Sequence, residues 1–192
     1  MSPSARPRVA LLAACLAWPG AGWAQALTVA SLQRLLQEAP KPEVRFTESR
    51  ESPWLAAPLQ SSGTMKMTAT MLEKRIEQPR RETWRILPDR MQLVATDAAT
   101  TKEFLFRDAP AVASLATAMR DVMAGNLTAL ENDFQTVVSG DERLWTVRLT
   151  PRRPELARAL KQLDLQGSQA RLQVFVILEA QGDRTTTRIV HD

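Results

Sequence analysis

The 192-residue chain contains one cysteine and one histidine, and each shortage removes a class of chemistry. Cys15 lies inside an apolar N-terminal run, so once a leader is removed no thiol remains for disulfides or metal binding. His191 is the penultimate residue, where chain ends fray, and no Gly-x-Ser-x-Gly elbow supplies a nucleophile for a Ser-His-Asp site. No His, Asp or Glu spacing suits a metal, so no cofactor is expected. Glu48, Glu51, Glu77 and Glu82 sit among charges typical of an exposed strand edge, and the chain reads as a non-enzyme. Basic clusters interleaved with aromatics are missing too, which argues against nucleic acid.

The first residues have the three parts of a secretory signal: Arg6 and Arg8, an apolar run from Val9 to about Trp18, and small residues up to Ala26. Such a segment is removed on export, and the run is too short to span a bilayer. Cleavage after Ala24 or Ala26 satisfies the small-x-small requirement. Ala26 is preferred, since Ala24-Gln25-Ala26 fits Ala-x-Ala fully. Leu12 to Cys15 also matches the pattern at which bacterial lipoproteins are cut and acylated. The ordinary leader is the reading taken, because the apolar stretch continues past Cys15. Residues 1–26 are therefore expected to be signal and 27–192 one exported domain, with about 70% of its extended surface buried on folding. Losing Arg6 and Arg8 lowers the formal charge from +4 to +2, so the remaining arginines form a solvated outer face.

Apolar residues then alternate through short consecutive segments. A helix is expected over Thr28 to Ala39, with Leu32, Leu35 and Leu36 on one side, stopped by Pro40 and Pro42. A strand from Val44 to Ser52 follows, then a loop holding Trp54, Leu55, Pro58 and Leu59. Trp54 is read as a packed loop anchor rather than a cavity lip. Strands are expected at Thr64–Met67, Met71–Ile76, Arg81–Leu87, Met91–Val94 and Thr101–Arg107, punctuated by Gly63, Pro79 and Pro88-Asp89. Pro110 opens a helix over Ala111 to Ala124, ended by Gly125-Asn126. Leu127 to Asn132 forms a short turn. Strands Phe134–Ser139 and Leu144–Leu149 flank the Gly140-Asp141 turn, a helix spans Pro154 to Leu160, and Gln162–Leu165 leads to a hairpin of Ala170–Ala180 and Thr185–Val190. Leu172 to Leu178 is apolar on both faces, which suits a central strand backed by a helix. Trp145 reads as structural. The order defines an α+β domain in which helices gathered on one side of a long sheet leave space beneath them.

All methionines after Met1 fall between Met65 and Met123. Flexible thioethers fill irregular gaps and adapt to varied ligands. On the period-2 rule one sheet face carries Met65, Met67, Leu72, Trp84, Ile86, Met91 and Leu93, and the helix above it carries Leu115, Met119 and Met123. Phe104 and Phe106 either line the same space or close one end. These twelve are the candidate ligand-binding residues, and the surface they form suits an apolar ligand.

Arg50 to Met65, including Ser52-Pro53-Trp54-Leu55 and Ser62-Gly63-Thr64, is followed by Leu72-Glu73-Lys74, Gln78-Pro79-x-x-Glu82, Leu165-Gln166-Gly167 and Glu179 to Asp183. In order and spacing this resembles the LolA-like periplasmic carriers of lipoproteins and lipids, in a branch distinct from the general lipoprotein-sorting carrier. The resemblance implies a half-open β-barrel of about eleven strands, with helices forming a lid over a hydrophobic cavity. It implies a monomer that takes the acyl chain of a lipid, lipoprotein or acyl-conjugate, with an inner-membrane exporter and an outer-membrane acceptor as partners. A sensor or accessory subunit of an envelope complex is the alternative the fold allows. The lipoprotein carriers hold the lid with an arginine before a Pro-x-x-(Leu/Phe) segment. Here the matching stretch, Met67-Thr68-Ala69-Thr70, has neither that arginine nor the proline.

Overall fold

The computed structural model describes residues 27–40, 43–68, 70–94 and 101–190. The leader with Cys15, Pro42, Ala69 and His191 lie outside them. Helix α1 (Val29–Glu38) starts at Thr28, whose hydroxyl accepts the Ser31 amide at 3.1 Å while Ser31 Oγ accepts the Thr28 amide at 2.9 Å. This reciprocal cap satisfies two otherwise unpaired donors of the first turn. Leu32 and Leu36 are its buried residues.

The strands are β1 (Val44–Glu51), β2 (Leu59–Met67), β3 (Leu72–Gln78), β4 (Glu82–Ile86), β5 (Arg90–Val94), β6 (Thr101–Leu105), β7 (Phe134–Gly140), β8 (Trp145–Pro151), β9 (Leu160–Ser168), β10 (Arg171–Glu179) and β11 (Arg184–Val190). They form one antiparallel sheet in the order β6-β5-β4-β3-β2-β1-β11-β10-β9-β8-β7. Strand β1 pairs with β11, so the two ends of the domain meet at the middle of the sheet and the open edges are β6 and β7. Those edges are consecutive in sequence. The segment joining them holds a short 3-10 turn (Phe106–Asp108), helix α2 (Pro110–Ala124) and a second 3-10 turn (Leu127–Asn132), and it is therefore carried across the concave face. The sheet is a half-barrel, and α2 is its lid.

Pro110 occupies the first turn of α2, and Gly125 ends it with φ 72°, its amide bonded to the Asp121 and Val122 carbonyls. The left-handed backbone there favours glycine. Two buried cores join sheet to helices. One gathers Leu32, Leu36, Ala118, Val122, Leu127, Leu130 and Leu156 over Phe134, Trp145, Val147, Leu149, Leu163, Leu165 and Phe175. The other gathers Ala116 over Val44, Phe46, Met65, Leu72, Ile86 and Ile189. Met119 and Leu172 touch both. Trp145 is fully buried; Gly167 lies beneath its ring, and its indole nitrogen donates to the Gln169 carbonyl at 2.8 Å.

Several expected elements differ. Strand β2 begins at Leu59, earlier than Thr64, because its polar first half is held by backbone pairing to β1. Phe106 has left the strand for the following 3-10 turn, so it does not share the pleat of Phe104. Helix α3 (Pro154–Ala157) is a single turn, since Leu160 is drawn into β9 as a buried residue. Among the described residues no helix backs β10: the helices share their cores with concave-face residues. Val174, Val176 and Leu178 lie on the convex side beside Arg188, Thr186 and Arg184 of β11, where Val176 is nevertheless buried at 8% exposure. Trp54 is not an anchor, being 86% exposed.

Candidate ligand-binding trough under the helix

Directly paired residues of antiparallel strands share a face, so the concave surface can be read from the register. One row across the sheet is Val44, Met65, Lys74, Trp84 and Leu93; a neighbouring one is Met67, Leu72, Ile86, Met91 and Phe104. Of these, sequence periodicity placed Met65, Met67, Leu72, Trp84, Ile86, Met91 and Leu93 together on one face. Beneath α2 the surface forms two adjoining, partly open apolar voids. The larger, about 60 Å³, is lined by Leu36, Ala39, Pro40, Val44, Met67, Val122, Met123, Gly125, Ala170, Leu172 and Ile189. The smaller, about 10 Å³, lies among Met65, Met119, Val122, Met123, Leu172, Phe175, Thr187 and Ile189.

Four of the twelve sequence candidates, Met65, Met67, Met119 and Met123, line these voids. Leu72 and Ile86 are buried in the core beside them, Met91 and Phe106 pack against that core, and Leu115 packs against the other. Trp84, Leu93 and Phe104 lie farther along the concave face. The Trp84 and Phe104 rings stack with centroids 6.2 Å apart, and Phe104 is 42% exposed. The voids thus sit toward β1, β10 and β11. Period-2 parity was a usable signal for Val44 and Ile189, which alternate with Arg45 and Arg188. Leu172 gave none, because a β-bulge between Leu172 and Val174 puts it on the concave side.

The trough is not uniformly greasy. Glu48, expected at a solvated edge, lies on the concave side of β1, where Lys74 Nζ reaches its Oε2 at 2.7 Å and Thr187 Oγ1 donates to the same oxygen at 2.6 Å. The convex side of the β3–β6 half carries a separate ladder. Glu73 receives Arg75 at 2.6 Å and Arg85 at 2.9 Å, and Gln92 donates to Glu103 at 2.6 Å. Burial pushes the Glu73 pKa up, but the Arg85 hydrogen bond and the charges of Arg75 and Arg85 outweigh it and hold the group below the usual range. Asp121, near the end of α2, is pushed up by burial, with Arg120 at 3.7 Å and Asn126 offsetting part of the rise.

The lid is tied by a different arginine from the one the resemblance describes. The β2–β3 turn is closed by Thr68, whose amide and hydroxyl both donate to the Met71 carbonyl, and it holds no basic side chain. From the loop before α3, Arg153 Nη2 donates to the hydroxyl of buried Ser114 on α2 at 2.8 Å and to Asp133 Oδ1 at 3.1 Å.

Among the described residues no group of three His, Cys, Asp or Glu could hold a metal ion, and no helix is long and apolar enough to cross a membrane. No curated protein matches the chain. Solved structures are similar to it, among them the following. A LolA superfamily protein from Nitrosomonas europaea has 11% identity and a TM-score of 0.48, covering 86% of this chain and 93% of its own. A DUF1329 family protein from Desulfovibrio piger has 7% identity and a TM-score of 0.43, covering 85% and 89%. A putative outer membrane lipoprotein-sorting protein domain from Vibrio parahaemolyticus has 8% identity and a TM-score of 0.41, covering 85% and 89%. The family model described as "Outer membrane lipoprotein carrier protein LolA-like" matches residues 21–190, a span that includes every strand of the half-barrel and its lid. The chain belongs to the LolA-like family of outer membrane lipoprotein carrier proteins.

Proposed function

We propose that the protein is a periplasmic, non-enzymatic carrier. It buries the acyl chain of a lipid, lipoprotein or acyl-conjugate between α2 and the sheet and moves it towards the outer membrane. The observation that carries this reading is the pair of adjoining apolar voids, whose walls include four methionines on opposed surfaces, Met65 and Met67 below and Met119 and Met123 above. Their combined volume is far below the roughly 300 Å³ of a small-molecule pocket. Uptake therefore requires the methionines to change rotamer and α2 to lift. Burial of each methylene contributes about 0.8 kcal/mol, so a sixteen-carbon chain gains on the order of 10 kcal/mol before ordering costs. Residues 1–26 act as the export signal, an inner-membrane exporter and an outer-membrane acceptor are the exchange partners, and the carrier works as a monomer. The missing latch arginine favours an acyl-conjugate over the general lipoprotein cargo.

Displacement of a fluorescent fatty acid, with native mass spectrometry of protein from its own envelope, tests the proposal. One acyl chain per protein is expected. Met119→Glu should abolish binding while circular dichroism remains that of the folded domain. Full affinity in a folded Met119→Glu protein would move the site elsewhere.

A further inference from the structure

Beside the apolar voids, on the concave face, Glu48 and Lys74 form an ion pair whose construction is specific. Glu48 belongs to β1 and Lys74 to β3, with β2 between them. At the level of Phe46, β2 contributes Gly63, paired with Phe46 on one side and Ile76 on the other. A side chain there is ruled out, because a Cβ would collide with the Arg75 carbonyl oxygen. Lys74 crosses this gap: its ammonium lies 4.8 Å from the centroid of the Phe46 ring and 2.7 Å from Glu48 Oε2. The two side chains are only 13% and 16% exposed. Thr187, itself 2% exposed, donates to the same carboxylate oxygen and also lines the smaller void with Met65, Met119 and Met123. The apolar space therefore ends one hydrogen bond from the ion pair.

Among the described residues, Glu48 Oε1 and two of the three Lys74 N–H bonds have no protein hydrogen-bond partner and are open to an incoming group. Resting on the carrier reading above, we propose that the Glu48–Lys74 pair is a headgroup subsite. It takes a neutral polar group that accepts one hydrogen bond and donates another, as an acyl amide or the glycerol end of an acyl ester does. Lys74 donates to the carbonyl or hydroxyl oxygen, and Glu48 Oε1 accepts from the N–H or O–H. A free carboxylate fits less well, because any oxygen placed on Lys74 also approaches the Glu48 charge in a partly dehydrated site where such repulsion is weakly screened. A quaternary amine meets the converse problem at Lys74. The subsite thus sets specificity for the head of the ligand while the methionines accommodate its tail.

The experiment displaces a fluorescent fatty-acid probe from the folded protein with palmitamide, monopalmitoylglycerol and palmitate, which share one chain length. Wild type should bind the amide, the glycerol ester or both about tenfold more tightly than palmitate, the gain of one or two well-placed hydrogen bonds. Which of the two binds identifies the natural class of head. Glu48→Gln leaves Lys74 charged and should reverse the order in favour of palmitate. The neutral pair Glu48→Gln with Lys74→Met should remove discrimination and keep affinity for the chain, which covers the case of a single variant that fails to fold. Equal affinities in wild type, or an order unchanged by Glu48→Gln, would overturn the subsite. Failure of all three compounds to displace the probe would instead overturn the carrier reading.

Discussion

The tie between Arg153 and Ser114 makes lid opening measurable. Ser114 lies on the buried side of α2, and its hydroxyl accepts a charge-assisted bond from Arg153 Nη2 at 2.8 Å. Hydrogen bonds to charged groups contribute about 1.5 to 3 kcal/mol. Arg153 is half exposed and keeps Asp133 at 3.1 Å when Ser114 is removed, so solvent screening brings the value to the bottom of that range or just under it, about 1 to 1.5 kcal/mol. For a domain of this size Ser114→Ala should lower Tm by roughly 2 to 6 °C. If lifting α2 breaks this bond, the same energy enters the opening equilibrium. A change of about 1.4 kcal/mol is tenfold, so the competent population, and with it apparent affinity, should rise by up to about tenfold. Stopped-flow uptake of a fluorescent fatty acid reads this directly: the rate plateau at saturating probe should rise in Ser114→Ala. Arg148→Ala, which removes an exposed convex-face pair with Asp164 at 3.0 Å, is the control and should move neither quantity. A Ser114→Ala protein with lowered Tm and an unchanged uptake plateau would show that the bond holds the fold and not the gate.

Three further outcomes follow from the packing. Gly167→Ala should cost about 2 to 3 kcal/mol in chemical denaturation, because a Cβ there would collide with the Trp145 ring and the Arg171 carbonyl oxygen. Trp54→Ala should change stability by less than about 0.5 kcal/mol, since the side chain is almost wholly in water; a larger loss in the same assay would mean the loop is docked. Glu73 has a folded pKa below its unfolded value, so its ion pairs stabilise the fold above the unfolded pKa of about 4.3 and that stability is lost as pH falls through the lowered value. Glu73→Gln should therefore destabilise the protein near neutrality and flatten the acid limb of its stability curve, and an acid limb as steep as that of wild type would assign the loss to other carboxylates.

The parts of this architecture that were legible in the sequence are those in which local pattern and tertiary position agree. Met65 and Met67, Trp84 and Ile86, and Met91 and Leu93 alternate with polar residues, and β2, β4 and β5 follow. Pro110 and Gly125 bound α2 by backbone geometry alone. What escaped depends on which strands stand beside each other. Glu48 looks like an edge residue along the chain, yet β1 is flanked by β2 and β11, so its inward side chain needs a partner and finds Lys74 two strands away. Val44, Leu172 and Ile189 wall the larger void because the two ends of the domain pair with each other, a long-range fact no window of residues contains. The first half of β2, Leu59 to Ser62, carries little apolar pattern and exists through its backbone bonds to β1.

The small volume of the voids is itself a consequence of the proposed task. An unfilled apolar cavity costs about 24 cal/mol per Å³, so a rigid pocket of roughly 300 Å³ would subtract about 7 kcal/mol. That is a large share of the 5 to 15 kcal/mol that holds a domain together. The observed voids of about 60 and 10 Å³ cost less than about 2 kcal/mol on the same scale. A carrier that must be stable between cargoes therefore needs side chains that fill the space and leave it again, which branched residues locked in one rotamer do poorly and unbranched methionine does well. On this argument, replacing Met119 and Met123 together by isoleucine preserves apolar volume but removes adaptability. The variant should keep nearly the stability of wild type and bind a sixteen-carbon probe at least several-fold more weakly. Equal affinity in the isoleucine pair would mean that the methionines only fill the core.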